Sequence, residues 1–182
     1  MNKEDKYLTI PNILTVLRII ILPFVLYYII IDMQGNRLII FSLLGVQGAT
    51  DFLDGAVARK FKQVSSFGKI LDPLVDKLTF DSVMLALIKY EFPVFLAVLL
   101  ITRDIVIIIS GYFIFKKKNV IPVSNIWGKI TTFSLVVYLI SFIAGWEVMK
   151  NIFLYTLIVA ICFSGISYAI YFIKLKIRGE NE

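Results

Sequence analysis

Apolar residues form six long segments along the chain, and short polar or helix-breaking stretches separate them. Because roughly 20 apolar residues in a helix cross a bilayer, the pattern predicts six transmembrane helices, at about 13–33, 37–59, 70–90, 93–115, 125–146 and 151–174. Helix breakers support the divisions, at Pro11, Gly35, Pro93, Pro122 and Gly145. The predicted fold class is all-α, in a single integral membrane domain that covers residues 1–182.

Composition agrees with a membrane protein. A hydrophobic fraction of 59% and a mean hydropathy of +0.85 are too apolar for a soluble domain, and 182 residues are too few for several domains. The one cysteine, Cys162, cannot form a disulfide framework. The first twelve residues are too polar for a cleavable signal peptide, so we expect the first apolar segment to be retained.

The net charge of +6 comes from short Lys and Arg clusters beside the apolar segments, which favours contact with anionic lipid over nucleic acid. One side of the predicted topology carries most of them: Lys3, Lys6, Arg59, Lys60, Lys62, Lys69, Lys116, Lys117, Lys118, Lys174, Lys176 and Arg178. The other side carries Arg37, Lys89 and Lys150. Because cytoplasmic flanks retain basic residues, we expect a multi-pass protein of the cell membrane with both termini in the cytoplasm.

Four aspartates interrupt the apolar pattern within the sequence DFLDGAVARKFKQVSSFGKILDPLVD, residues 51–76. Helical spacing puts Asp51 and Asp54 on one face of the second helix and Asp72 and Asp76 on one face of the third. The connection is short, so we expect the two helices to pack antiparallel with these faces opposed. Four carboxylates would then meet in one pocket, in the cytoplasmic half of the membrane.

Carboxylates crowded together near a membrane repel one another and are costly to desolvate, so the pocket requires a cation. Oxygen-only ligands favour Mg²⁺ or Mn²⁺, and the absence of His excludes a His/Cys zinc site. Two metal ions bridged by carboxylates commonly catalyse phosphoryl transfer. Gly55 and Ala58, on the acidic face, leave room for a substrate, and Arg59 offers a fixed positive charge for phosphate oxygens.

Two other interpretations of the aspartates remain. The acids could cap helices or pair with Lys and Arg at the membrane surface, although capping does not require four acids at these intervals. A divalent-cation transporter is the alternative from another functional class, because acids in membrane helices line ion paths. The gathering of the acids near one side of the membrane disfavours transport.

The aspartate segment resembles the CDP-alcohol phosphatidyltransferases, whose pattern is D-x-x-D-G-x-x-A-R-x8-G-x-x-x-D-x-x-x-D. The matching residues are Asp51, Asp54, Gly55, Ala58, Arg59, Gly68, Asp72 and Asp76. The resemblance implies the fold of this family and an enzyme that transfers a phosphatidyl group from CDP-diacylglycerol to an alcohol. It also implies that the protein forms a homodimer. It also implies two divalent ions on the four aspartates, Asp76 as general base, and binding of the CDP-lipid by Gly55, Ala58, Arg59 and Gly68.

The first helix resembles family members with glycerol-type acceptors, which often begin P-N-x-x-T-x-x-R. Asn12, Thr15 and Arg18 match this pattern. The resemblance implies that these three residues contribute to the donor side of the pocket. The alternative for Arg18 is a side chain that extends to the membrane interface.

Arg103 and Lys129 resemble the residues that bind the acceptor's phosphate in relatives that use glycerol 3-phosphate, and the implied product is phosphatidylglycerophosphate. The alternatives are a local interhelical ion pair for Arg103 and an interfacial side chain for Lys129. Asp104 follows Arg103 at a position where relatives that make phosphatidylglycerophosphate typically have Glu. The sequence LDPLVDK resembles both those relatives and the cardiolipin synthases of the family. A cardiolipin synthase that uses phosphatidylglycerol as acceptor therefore remains the alternative within the family.

Overall fold

The structure, a computed structural model, describes the backbone at residues 10–61, 68–118 and 126–179 and the side chains at residues 12–51, 72–109 and 126–167. Within these ranges it contains α-helices and one 3-10 turn, and it has no strand. The helices are α1 (Ile10–Asp32), α2 (Arg37–Phe61), α3 (Gly68–Leu87), α4 (Val94–Lys118), α5 (Ile126–Ala144) and α6 (Glu147–Gly179), and the 3-10 turn is Ile88–Tyr90. The predicted all-α class is confirmed.

Each predicted segment corresponds to one of the described helices, and the largest difference concerns the last. Helix α6 begins at Glu147, because Gly145 adopts a positive φ of 76° that closes the connection from α5 within two residues. Two prolines lie inside helices, Pro23 in α1 and Pro73 in α3. Both prolines lie beyond the first turn, so each removes one backbone hydrogen bond from its helix.

Three of the described helices are long and apolar enough to cross a membrane: Asn12–Asp32, Ile126–Ala144 and Glu147–Ser167. Six membrane crossings are therefore not confirmed. The described side chains of α2, α3 and α4 span residues 37–51, 72–87 and 94–109, which are too short to test whether these helices cross the membrane. The chain is a membrane protein with at least these three candidate spans, and the number of crossings stays a prediction.

Helix contacts divide the chain into two compact units, Met1–Ala97 and Val98–Glu182. In the first unit, α1 packs against both α2 and α3. A tight turn joins α1 to α2, and the Asp32 carboxylate accepts hydrogen bonds from the backbone N–H groups of Gln34 and Gly35, each at 3.1 Å. This turn makes α2 antiparallel to α1.

Helix α3 runs parallel to α1, with side-chain contacts near both of its ends. At the far end, Lys89 Nζ donates to the carbonyl of Ile30 at 2.6 Å, and the backbone N–H of Met33 donates to the Tyr90 hydroxyl at 3.0 Å. At the near end, Thr15 contacts Asp72. The beginning of α1, the second half of α2 and the beginning of α3 therefore lie at the same end of this unit.

In the second unit, α5 and α6 form an antiparallel helical hairpin. Aromatic contacts follow its length: Trp127 stacks on Phe163 with ring centroids 4.6 Å apart, and Phe133 meets Phe153 edge-on at 6.4 Å. Two buried hydroxyl side chains on α5, Thr131 and Ser141, donate to backbone carbonyls four residues earlier. Ser141 Oγ, for example, donates to the carbonyl of Val137 at 2.7 Å.

We predict that Gly145→Ala lowers the melting temperature of the detergent-solubilised protein, because a Cβ at positive φ costs roughly 1–2 kcal/mol. The matched control is Gly165→Ala. A Cβ at Gly165 would meet no atom within 4 Å, and Gly165 lies inside α6, so this substitution should leave the melting temperature unchanged or raise it. Equal melting temperatures for the two variants would contradict the prediction.

Candidate active site

Arg18 lies at the centre of a cluster of carboxylates in the first unit. Its side chain is only 3% exposed, and Nη1 lies 2.8 Å from Asp51 Oδ1. The same nitrogen also contacts Asp76 Oδ1, and Nη2 lies 3.8 Å from Asp72 Oδ1. One guanidinium of α1 thus joins carboxylates from α2 and α3.

Helix direction and residue spacing explain this convergence. Asp72 and Asp76 lie four residues apart, so they share a face of α3 and reach the same guanidinium. Asp51 approaches it from α2, which runs in the opposite direction along α1. The three acids meet Arg18 only because α1 contacts both other helices.

Thr15 and Gln47 hold this cluster in place. Thr15 is completely buried; its hydroxyl donates to Asp72 Oδ1 and accepts from Arg18 Nη2 at 3.4 Å. Gln47, 5% exposed, donates from Nε2 to the backbone carbonyl of Arg18 at 3.0 Å. Asn12, one helical turn before Thr15, is also buried.

Gln47 was missed by the sequence reasoning, although a signal for it was present. It precedes Asp51 by four residues, which places an amide one turn from the first aspartate on the same face of an apolar helix. A polar residue at that distance from a charged residue indicates an extension of the polar surface.

The alternative for Arg18, a side chain that extends to the membrane interface, does not apply, because this side chain is buried and paired with carboxylates. The direct opposition of the acidic faces of α2 and α3 stays a prediction, because the side chains at residues 52–71 lie outside the described part of the structure. The buried guanidinium offsets the repulsion among Asp51, Asp72 and Asp76.

Five residues of the predicted site have side chains outside the part of the structure that is described. They are Asp54, Gly55, Ala58, Arg59 and Gly68. Their roles stay predictions.

The carboxylates match Mg²⁺ or Mn²⁺ in ligand type, because hard divalent ions prefer oxygen. Among the side chains at residues 12–51, 72–109 and 126–167, however, no three Asp, Glu, His or Cys residues form a group that could hold a metal ion as arranged. The guanidinium of Arg18 contacts the carboxylate oxygens of Asp51 and Asp76 that a metal ion could use. The donor chemistry therefore fits a divalent ion.

Arg103 and Lys129 lie in the second unit. Arg103 Nη1 is 3.2 Å from Asp104 Oδ1, and Nη2 donates to Ser164 Oγ of α6 at 3.2 Å. The ion pair described for Arg103 lies within α4, and its hydrogen bond to Ser164 joins α4 to α6. Lys129 is exposed in the first turn of α5, and no contact described for Arg103 joins it to Lys129.

Charged groups gathered among apolar helices are typical of membrane proteins that act on ions or charged substrates. The family model for CDP-alcohol phosphatidyltransferase matches residues 8–165. The chain therefore belongs to the CDP-alcohol phosphatidyltransferase family and is an enzyme of this class. The family is membrane-bound and depends on divalent cations.

Relatives of this chain are named for two different activities. A CDP-diacylglycerol–glycerol-3-phosphate 3-phosphatidyltransferase of Aquifex aeolicus is 38% identical over 142 residues, which cover 74% of this chain and 75% of the relative. A CMP-forming cardiolipin synthase of Streptomyces coelicolor is 33% identical over 155 residues, covering 79% and 71%. A probable cardiolipin synthase of Drosophila melanogaster is 36% identical over 114 residues, covering 62% and 34%.

We predict that Thr15→Val destabilises the protein by roughly 1.5–3 kcal/mol, because it removes a hydrogen bond to a charged carboxylate without changing the side chain's size. Thr15→Ser keeps the hydroxyl and should lose much less. Unfolding in mixed detergent micelles measures both variants. If the Val and Ser variants unfolded alike, the hydrogen bond to Asp72 would not be the stabilising contact.

Proposed function

We propose that this enzyme transfers a phosphatidyl group from CDP-diacylglycerol to glycerol 3-phosphate, giving phosphatidylglycerophosphate and CMP. The observation that carries the proposal is the convergence of Asp51, Asp72 and Asp76 at one end of α1–α3. These are three of the four aspartates in the family's pattern. The name of the Aquifex aeolicus relative supports glycerol 3-phosphate as the acceptor.

The four aspartates, Asp51, Asp54, Asp72 and Asp76, would hold two divalent ions, Mg²⁺ or Mn²⁺. When bound, such ions supply positive charge to a diphosphate and to a departing phosphate. Residues proposed to bind the CDP-lipid surround these acids: Asn12, Thr15, Arg18, Gly55, Ala58, Arg59 and Gly68. Gly55 and Ala58 leave space at the helix surface, and Arg59 adds a cation for phosphate oxygens.

Asp76 is the proposed general base. Its carboxylate takes the proton of the acceptor hydroxyl, and the oxygen forms a bond to the lipid-side phosphorus. The bond from that phosphorus to the CMP oxygen breaks, and CMP leaves with the electron pair, its charge held by Arg59. The sequence contains no His, so a phosphohistidine intermediate is excluded and direct displacement remains.

Arg103 and Lys129 are the proposed ligands of the acceptor phosphate. The two terminal nitrogens of Arg103 contact Asp104 and Ser164, while its buried Nε has no hydrogen-bond partner among the described residues. A buried N–H without a partner is costly, and a phosphate oxygen would satisfy it. Lys129 would add a second positive charge.

We propose that the site and both termini face the cytoplasm. The acids lie at the end of α1–α3 where the basic flanks of the sequence are concentrated. A water-soluble acceptor and a membrane-anchored donor could both reach a site at this depth. The homodimer stays a prediction from the family resemblance.

Cardiolipin synthesis, with phosphatidylglycerol as acceptor, is the second candidate, and a specific contact favours it. Asp104 lies 3.2 Å from Arg103 and reduces the positive charge available to a phosphate with two negative charges. A phosphodiester carries one negative charge and suits this pair better. Two relatives at 33% and 36% identity are named as cardiolipin synthases.

Product analysis separates the two candidates. Purified enzyme in mixed micelles receives labelled CDP-diacylglycerol and Mg²⁺ with glycerol 3-phosphate, with phosphatidylglycerol, or with both. Mass spectrometry then identifies the lipid. We expect phosphatidylglycerophosphate and CMP whenever glycerol 3-phosphate is present, and cardiolipin as the main product would overturn this choice of acceptor.

We predict that Asp76→Asn abolishes CMP release and leaves the helix content unchanged, because an amide cannot accept the hydroxyl proton. Asp32→Asn is the matched control. Asp32 lies at the other end of α1, roughly 21 Å along the axis from Arg18, so its substitution should leave turnover near normal. Near-normal turnover of the Asp76 variant would remove this residue from the role of base.

We predict that Arg103→Ala and Lys129→Ala raise the KM for glycerol 3-phosphate at least roughly tenfold, with a much smaller effect on the KM for CDP-diacylglycerol. The physical reason is the loss of a charge that binds only the acceptor. Lys150→Ala, which alters a lysine paired with Glu147 at the other end of the α5–α6 hairpin, is the control. Equal effects on both substrates would argue against an acceptor phosphate site.

A further inference from the structure

We propose that Arg18 is an internal competitor of divalent cations: its guanidinium neutralises the aspartates and must give up carboxylate oxygens when a metal ion binds. The inference rests on the proposed metal-dependent function. It assigns to Arg18 a role in setting metal affinity, separate from any contact with the CDP-lipid.

Burial makes the pairing of Arg18 obligatory. Its side chain is 3% exposed within a helix of mean hydropathy 2.4 over Asn12–Asp32. A guanidinium stays protonated at any ordinary pH, and a buried charge without a partner is strongly unfavourable. The aspartates therefore stabilise α1 in its position, and Arg18 stabilises the aspartates against one another.

The contacts are made to carboxylate oxygens, the ligand type that a divalent ion prefers. Nη1 of Arg18 holds Oδ1 of Asp51 and Oδ1 of Asp76 together, and Nη2 lies 3.8 Å from Oδ1 of Asp72. A cation at these oxygens and the guanidinium would repel each other. On this proposal, an ion bound by these carboxylates would lengthen or break part of this set.

The charges around the guanidinium leave room for such an exchange. Oxygens of three carboxylates lie within 3.8 Å of this one guanidinium, and acidic groups at such short separations repel one another. The contact with Asp72 is the longest, and Thr15 also donates a hydrogen bond to that carboxylate. Asp72 therefore has a hydrogen-bond donor besides Arg18.

The backbone at Arg18 is held independently of its side chain. Gln47 Nε2 donates to the Arg18 carbonyl at 3.0 Å, and α1 packs against α2 and α3 along its length. The long, flexible side chain can therefore change its contacts while the helix stays in place. Metal binding would then alter side-chain pairing and leave the arrangement of α1–α3 intact.

The test measures Mn²⁺ binding to the full-length protein in detergent, without nucleotide or lipid substrate. Electron paramagnetic resonance of free Mn²⁺ gives the affinity, and thermal melting in EDTA and in Mn²⁺ gives the stability. Arg18→Gln removes the competing charge, so we expect at least roughly tenfold tighter Mn²⁺ binding. We also expect a lower melting temperature in EDTA and a larger rise on adding Mn²⁺.

Two further variants make the result specific. Arg37→Gln removes the same charge at the beginning of α2, far from the aspartates, and should leave the Mn²⁺ affinity unchanged. Arg18→Lys keeps the charge but loses the paired donors. It should bind Mn²⁺ with an affinity between those of the original protein and Arg18→Gln, and it supplies the test if Arg18→Gln does not fold.

The outcomes separate the inference from the proposed function. If the original protein binds Mn²⁺ and neither Arg18 variant binds it more tightly, Arg18 is not a competitor, while the metal-dependent reaction stands. If the original protein and all variants fail to bind Mn²⁺, both the inference and the metal dependence are overturned. Tighter binding by the Arg18 variants, with Arg37→Gln unchanged, supports the inference.

Discussion

A guanidinium buried among apolar helices is unfavourable unless anionic groups surround it, and this requirement organises the first unit of the protein. Arg18 contacts Asp51 on α2 and Asp76 on α3. The aspartates have the reciprocal need, since like charges at short distance repel. The ion pairs therefore join three helices whose apolar surfaces alone would fix their relative positions less tightly.

The buried Arg18 changes the interpretation of the acidic pattern. Four aspartates at helical spacing suggest a pocket that binds only external cations. The structure shows that the guanidinium of Arg18 already pairs with three of these acids. Under the proposed exchange, affinity for a divalent ion would depend on the free-energy difference between carboxylates paired with Arg18 and carboxylates bound to metal. Without a nearby positive charge, neighbouring carboxylates would repel one another and lower the stability of the fold.

Local spacing made much of the fold and part of the site predictable. The helical class follows from the apolar segments, and the four-residue spacing of Asp72 and Asp76 places both on one face of α3. The partner of these acids could not be read from spacing, because Arg18 is 33 residues from Asp51 and 58 from Asp76 in sequence. Only the direction of α2 and α3 along α1 brings them together. Gln47 depends on the same long-range packing.

The hydrogen bonds at the far end of α1 have a consequence for the opposite end. Lys89 and Tyr90 hold the end of α3 to Ile30 and Met33, so α3 is prevented from sliding lengthwise past its neighbour. A displacement by one helical turn, about 5.4 Å, would carry Asp76 away from the guanidinium. Lys89 and Tyr90 thus set the axial register that brings Asp76 to Arg18.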